Sequence, residues 1–320
     1  MADGRWVTMR TAWQQALYGD GGFYRRESPV DHFRTSAHVG PLLAAALAEL
    51  TRRLGVEAVC DIGAGGGELL AALAACAPEL DLAGVELRPR PPLLPGAVGW
   101  GSRMPHAHAG LVLAHEWLDN VPCDVVGLAP DGQVRQVEVY IDRREQRLGE
   151  PVGEAEAAWL EQWWPLDVPG DRAEIGLARE SAWQTVRRAN PASWLLAVDF
   201  GHLRSARPPG GSLSSYRTGR QTDVRLDGSH DVTAAVAFDS LAAAVDGDVE
   251  RQRTMLLRLG MSAARPPLDR ADADPAGYLR ELAAATQAAE LVDPAGLGAF
   301  YWLMSPPLQD GRGGTGAARP

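Results

Sequence analysis

Three groups of residues have types and spacings that could do chemistry. The first is "VCDIGAGGGELL", Val59 to Leu70, where an apolar run ends in Asp61 and Gly63, Gly65 and Gly67 alternate. The second is Glu86 in "LAGVELRP", nineteen residues after Gly67. The third is a pair of polar clusters that each follow an apolar run: "HEWLDNVP", with His115, Glu116, Asp119 and Asn120, and "DFGH", with Asp199 and His202.

The glycine pattern is G-x-G-x-G. A dinucleotide loop reads G-x-G-x-x-G/A, and its third small residue lets helix and strand pack closely. Here that position is Glu68, which would crowd the packing and set a charge beside a pyrophosphate. The chain has no lysine, so a P-loop is excluded. A loop that tolerates carboxylates suits a ligand without phosphates. S-adenosylmethionine (SAM) is such a ligand, with a sulfonium and an amino group. Asp61 is expected to face its methionine end, and Glu86 to accept from both ribose hydroxyls.

Methyl transfer from a sulfonium is an in-line displacement, so the protein must align an unprotonated nucleophile. In an open parallel sheet, ligand groups lie beyond the carboxyl ends of the strands. His115, Glu116 and Asp119 follow the fourth expected strand; Asp199 and His202 follow the fifth. If the segment is a helical turn, Glu116 and Asp119, three apart, point the same way. Paired carboxylates can grip a guanidinium or ammonium. Glu116, Asp119, Asp199 and His202 are the catalytic candidates. Asp61, Gly63, Gly65, Gly67, Glu86 and Glu116 are cofactor candidates. A hydroxyl acceptor would instead need a base, for which His38, His115 or His202 is available. No residue pattern points to a metal.

The elements that must position these groups alternate between strand-like and helix-like. The strand-like runs are 56–62, 81–87, 97–100, 111–114, 193–200 and 298–305. The helix-like runs are 5–18, 41–54, 67–76, 153–164, 175–189, 237–245, 251–259 and 275–291. Residues 125–141 read as a hairpin around "PDG", and 204–229 as loop. Such alternation implies an α/β, Rossmann-like fold: a mostly parallel sheet with helices on both faces. The expected organisation is one domain over 1–305, with N-terminal helices in 1–55 and a helical insertion at 142–190. Residues 306–320 read as a disordered tail.

Composition narrows the partners. The 320 residues carry a net charge of -10, and all cations are arginine. That balance argues against a nucleic-acid binder. The 3 cysteines are far apart, as in a reducing cytosol. No apolar run is long enough to span a bilayer, and the first twenty residues lack a signal-peptide core. A cytoplasmic protein without membrane or nucleic-acid partners is expected. Oligomeric state is not legible.

Six segments, in order, carry a resemblance. "YGDGGFY" with "HFRTSAHVGPLLAAAL" is similar to a glycine-rich stretch and G-D-F-x-T-S-P-E-[IV]. "DIGAGGGELL" resembles a first SAM motif, "HEWLDNVPCDVV" resembles N-E-x-x-D-x-x-P-V, and "AVDFGH" resembles a D-Y-G-H strand end. "GSHDVTAAVAF" resembles D-[IL]-T-A-H-V-[DN]-F, and "LVDPAGLGAFYWLM" a closing D-P-x-x-[ML]-G-x-F strand. Together they resemble the MidA-like family of SAM-dependent methyltransferases, the family of the mitochondrial complex I assembly methyltransferase. The resemblance implies a class I methyltransferase fold and SAM as donor. For the mitochondrial members it implies a protein arginine as acceptor. It also implies that Thr35 and Ser36 lie near the cofactor. Four positions depart from the pattern: Ala37-His38 for Pro-Glu, His115 for Asn, Phe200 for Tyr and Ala235 for His. The cofactor motif is intact, whereas the acceptor side is altered.

Three functions stay open on the sequence. One is an arginine N-methyltransferase using Glu116 and Asp119. Another is a small-molecule O- or N-methyltransferase, with Trp159, Trp163, Trp164 and Trp183 as a lid. The third is a non-catalytic assembly protein.

Overall fold

The computed structural model describes residues 6–26, 41–104, 106–141 and 145–308. The expected cofactor residues Thr35 and Ser36, the candidate base His38 and most of the expected tail lie outside them. The chain divides into two compact units, each assembled from separated segments. Elements are numbered along the whole chain.

One unit comprises residues 34–115, 189–198 and 248–320. Its sheet is built from β2 (Ala58–Ile62), β3 (Asp81–Val85), β4 (Gly99–Gly101), β5 (Leu111–His115), β10 (Trp194–Asp199), β16 (Asp248–Arg251) and β17 (Tyr301–Ser305). The strand order is β16-β17-β10-β5-β2-β3-β4. The run from β10 to β4 is parallel, with Leu195 opposite Val112 and Cys60 opposite Ala83. Strands buried on both faces read as continuous apolar runs, which is why "LVLA" and "WLLAV" are legible as strands. β16 pairs antiparallel with β17. It occupies residues just before the expected helix at 251–259, which starts at Gln252.

The helices here are α3 (Leu42–Leu54), α4 (Glu68–Cys76), α8 (Gln252–Arg258), α9 (Asp269–Ala273) and α10 (Pro275–Leu291). α3 stops at Gly55, whose φ of 66° is the left-handed C-cap that glycine adopts freely. α10 starts at Asp274, whose carboxylate accepts from Gly277 N–H, with Pro275 in the first turn. The core joins Leu43, Leu47 and Leu50 of α3 and Leu70 and Leu73 of α4 to Val59, Leu113, Leu196 and Trp302 of the strands. Among the described residues no helix is long and apolar enough to cross a membrane.

The other unit comprises residues 1–33, 116–188 and 199–247. Its larger sheet contains β1 (Val7–Thr8), β6 (Asp124–Leu128), β7 (Val134–Tyr140), β8 (Glu145–Pro151) and β9 (Arg172–Ile175). β6 and β7 form the expected hairpin around "PDG", with Gly132 at φ 81°. Shorter pairings join β11 (Gly201–His202) to β15 (Val236–Ala237), and β12 (Ser214–Arg217) to β13 (Arg220–Thr222) and β14 (Asp231–Thr233).

The β12–β13 hairpin lies in the stretch read as loop. Thr218 and Gly219 turn it, with φ of 49° and 73°. Two successive left-handed residues make the tight hairpin turn, and a threonine in the first place hides the signal. The helices are α1 (Met9–Tyr18), α2 (Phe23–Arg26), α5 (Glu154–Trp163), α6 (Leu177–Ala189) and α7 (Phe238–Val245). Residues 142–190 thus carry strands β8 and β9 as well as helices α5 and α6. Trp159 and Trp164 are buried in one apolar cluster with Val126 and Ile175, and Trp163 packs against it. Trp183 is fully buried. Three of these tryptophans are core residues and Trp163 is half-buried beside them.

Candidate functional site

In the first unit, β2 runs into the glycine loop. Gly63, Gly65 and Gly67 have φ of 73°, 58° and 77°. A side chain at these angles is strained, which accounts for the spacing. Gly63 and Ala64 N–H both donate to Val85 O, at 2.9 and 3.2 Å, and so tie the loop to the end of β3. Gly67 caps α4, and its N–H donates to Ala64 O. The Glu68 carboxylate folds back over Gly66, where any Cβ would collide with it.

Glu86 follows β3, and its carboxylate is held against this loop. Oε2 accepts from Gly65 N–H at 3.0 Å. Oε1 accepts from Leu87 N–H at 2.8 Å and Arg88 N–H at 3.2 Å. Asp61, inside β2, is 3% exposed, and its Oδ1 has no hydrogen-bond partner. Burial first, then the charges of Glu86 and Glu68, push its carboxyl up to about 8. A buried carboxylate oxygen without a donor is costly. Three acids around one loop repel a phosphate and call for a cationic ligand with hydroxyl groups. An ammonium, a sulfonium and a ribose diol match that set, so SAM fits these residues.

The second unit holds a cluster of acids, with Asp119, Asp199 and Asp231 buried and Glu116 half-buried. Glu116 directly follows β5 in the chain and has φ 51°, a left-handed angle unusual for a glutamate. Asp119 N–H donates to Asp199 Oδ2 at 3.1 Å. Thr233 Oγ1 donates to Asp119 Oδ2 at 2.5 Å, while Asp119 Oδ1 is buried without a partner. Asp231 Oδ1 accepts from Asn120 Nδ2 at 3.0 Å and from the Tyr24 hydroxyl at 2.9 Å.

Burial raises the carboxyls of Asp119, Asp199 and Asp231. Asp199 goes well above its ordinary value, pushed further by Asp119 and Glu116. Asp231 rises to about 7, pushed further by Asp119. Asp119, Asp199 and Glu116, singled out by strand-end position, therefore interact. Asp231, Tyr24, Thr233 and the nearby Arg179 were not singled out. Their segments lie far apart in sequence: the "HDVT" motif covers Asp231 and Thr233, "YGDGGFY" ends on Tyr24, and no motif covers Arg179.

His202 lies apart from these hydrogen bonds. Its Nδ1 meets Arg207 Nη1 at 2.6 Å, and its ring packs edge-on against Trp164. Burial and the Arg207 charge push it down to about 3, so it stays neutral at physiological pH. His115 is buried at the end of β5. Among the described residues no group of three His, Cys, Asp or Glu side chains is arranged to hold a metal ion.

Comparisons with known proteins agree with the cofactor chemistry. The family model for S-adenosyl-L-methionine-dependent methyltransferases matches residues 42–255. No curated protein matches the chain. A COG1565 superfamily member from Burkholderia thailandensis, bound to S-adenosyl-homocysteine, is similar in structure. Its TM-score is 0.79 at 24% identity, over 96% of this chain and 89% of that one. A native crystal structure of a COG1565 superfamily protein from the same organism gives 0.78 at 24%, with the same coverage. These likenesses establish the mixed α/β fold. With well over half of its length matched by the family model, the chain belongs to the SAM-dependent methyltransferases, consistent with the MidA-like resemblance.

Proposed function

We propose that this enzyme methylates a cationic nitrogen acceptor, a protein arginine guanidinium, and that Glu116 and Asp119 hold it. One observation carries the reading: Asp119 Oδ1 is a buried carboxylate oxygen without a donor, inside a group of four acids. Arg179, the cation that acts on Asp119, gives its hydrogen bonds to main-chain carbonyls. An acceptor bearing N–H groups and a positive charge supplies what the cluster lacks. The left-handed backbone at Glu116 adds support, because strain of about 1–3 kcal/mol is kept mainly at functional positions.

SAM supplies a methyl group on a positively charged sulfur. Everything else falls to the chain. Asp119 orients the guanidinium through Oδ1, with Thr233 fixing its other oxygen. Glu116 draws the positive charge toward the far nitrogens, leaving the near one more nucleophilic. Methylation of that nitrogen releases one proton, and a carboxylate whose affinity for protons is raised by burial takes it. Asp199 positions Asp119 by accepting its main-chain N–H. His202, neutral and engaged by Arg207, serves packing in this reading. Residues 1–305 are proposed to act together as one catalytic domain. In the cofactor half, Asp61, Gly63, Gly65, Gly67 and Glu86 are proposed to receive SAM.

The test supplies methyl-labelled SAM and arginine-containing peptides, followed by acid hydrolysis. Labelled N-methylarginine supports the proposal. Label found only in a small-molecule fraction would replace the arginine reading by the small-molecule one. The absence of any label, with SAH still bound, would favour a non-catalytic assembly protein.

A second expectation concerns Asp61. Its folded value near 8 exceeds the unfolded value of about 4. The folded chain therefore binds the extra proton between those pH values. Its stability contribution is complete below pH ~4 and is lost as pH rises through about 8. A bound ammonium favours the charged carboxylate, so SAM binding should release a proton near neutral pH. Affinity should then rise with pH up to about 8. Calorimetry in two buffers of different ionisation enthalpy measures this release. Asp61→Asn should abolish it; equal release in the variant would show that Asp61 does not meet the cofactor.

A further inference from the structure

Arg179 on α6 is only 3% exposed, yet none of its four hydrogen-bond acceptors is a carboxylate. Nη2 donates to Asp119 O at 2.8 Å and to Ala234 O at 2.9 Å. Nη1 donates to Ala235 O at 2.8 Å, and Nε to Val121 O at 3.3 Å. Four main-chain carbonyls from two distant segments, 119–121 and 234–235, thus converge on one guanidinium. Its carbon lies 5.9 Å from the Trp13 ring centroid. Ala234 N–H also donates to Asp119 O, which closes the two segments onto each other at 3.2 Å.

Burying a guanidinium is expensive, and carbonyl dipoles alone do not neutralise it. Three acids act on it without a direct ion pair. Asp119, Asp199 and Glu174 are each drawn toward the ionised form by Arg179, against the burial that opposes it. The groups facing Asp119 and Asp199 come from several elements. They are Thr233 and Asp231 on β14, Tyr216 on β12, Tyr24 on α2, Glu116 on the adjoining turn and Arg179 on α6. Among these groups Arg179 alone is cationic.

We propose that Arg179 is the positioning residue of the acceptor-binding acids. Its carbonyl bonds fix the turn that carries Asp119, and its charge holds Asp119 as a carboxylate. The consequence for catalysis rests on the proposed function; the structural and electrostatic action does not.

Two substitutions separate the two actions. Lysine retains the charge, but a point ammonium cannot reach four carbonyls on two segments. Methionine retains the stem and has neither charge nor donors. The readouts need no acceptor. One is carboxyl titration by NMR on the full chain labelled at aspartate Cγ, with signals assigned through Asp119→Asn and Asp199→Asn. The other is hydrogen exchange at the amides of Asp119 and Ala234.

Arg179→Met should raise the Asp119 midpoint by about one pH unit or more. Arg179→Lys should leave that midpoint nearly unchanged. Both variants should speed exchange at the two amides by about tenfold or more. A role in bulk stability alone would not separate Lys from Met in the titration. A folded Arg179→Met with an unmoved midpoint overturns the electrostatic part. An Arg179→Lys with wild-type exchange overturns the tethering part; if the methionine variant fails to fold, Arg179→Gln, neutral and still a donor, replaces it in the titration with the same expected rise and the same overturning result. Unimpaired methyl transfer in Asp119→Asn would overturn the proposed function while leaving the titration and exchange results standing.

Discussion

Glu116→Gln is expected to cut methyl transfer to an arginine acceptor by about thirtyfold or more, roughly 2 kcal/mol in the barrier, while SAM binding changes little. A guanidinium is protonated at neutral pH, and its nitrogen lone pairs are delocalised. A carboxylate on one side concentrates the charge away from the reacting nitrogen. Glutamine keeps the shape and loses that charge, so the deficit belongs in kcat. Asp119→Asn should act the same way. Its Thr233 contact can survive through the remaining oxygen, while the unpartnered Oδ1 loses its charge. If both acids grip one acceptor, the double variant loses less than the sum of the singles. The measurements are kcat and KM on one confirmed acceptor, with SAH calorimetry alongside. Full turnover in both single variants would refute the acid grip. Collapse only in His38→Ala, His115→Ala or His202→Ala would point to a hydroxyl acceptor and a histidine base.

Trp13→Ala carries the largest expected effect on stability. Trp13 is fully buried in a cluster with Leu17, Phe23, Cys123, Val232 and Ala234. Its indole N–H donates to Val232 O at 2.8 Å, and the same carbonyl receives Asn120 Nδ2 at 3.3 Å. Truncation removes a large apolar volume and a donor together, at a cost of about 3–5 kcal/mol. The loss falls beside β14, which carries Asp231 and Thr233, so activity should decline before the chain unfolds. Urea denaturation at fixed pH reads the stability. Trp13→Phe should recover more than half of the loss, since the apolar bulk is the larger share. A loss below about 1 kcal/mol for the alanine variant would mean that the cluster collapses around the gap.

What the sequence discloses follows from the range of the physics involved. The glycine loop is legible because its cause is local: three left-handed backbone angles need three glycines at alternate positions. Apolar runs such as 111–115 and 194–199 are legible because parallel strands are buried on both faces. Strand ends then place Asp119 and Asp199 near each other from the sequence pattern alone. That Asp231, Tyr24 and Arg179 join the acids is illegible because it comes only through tertiary pairing: β14 against β12, α2 against β14, and α6 against two segments. Arg179 in "LARESAW" looks like any surface arginine of a helix. β16 was hidden by its polar residues and its position next to α8, and the β12–β13 turn by a threonine where glycine or asparagine is usual.

The strand order of the seven-stranded sheet bears on how the chain is made. β17, residues Tyr301–Ser305, is inserted between β10 and β16, although it is synthesised after both. Until it emerges from the ribosome, β10 presents an open edge, and β16 lacks the partner that pairs with all four of its residues. Trp302, part of the central core, arrives with it. Each compact unit also draws on three separated stretches of chain, so neither can close from its first stretch alone. Closure of the seven-stranded sheet therefore waits until residue 305 has been made, with slow, long-range pairing as its late step. Nascent chains stopped before residue 301 should occupy chaperones, and adding residues 301–305 should release them.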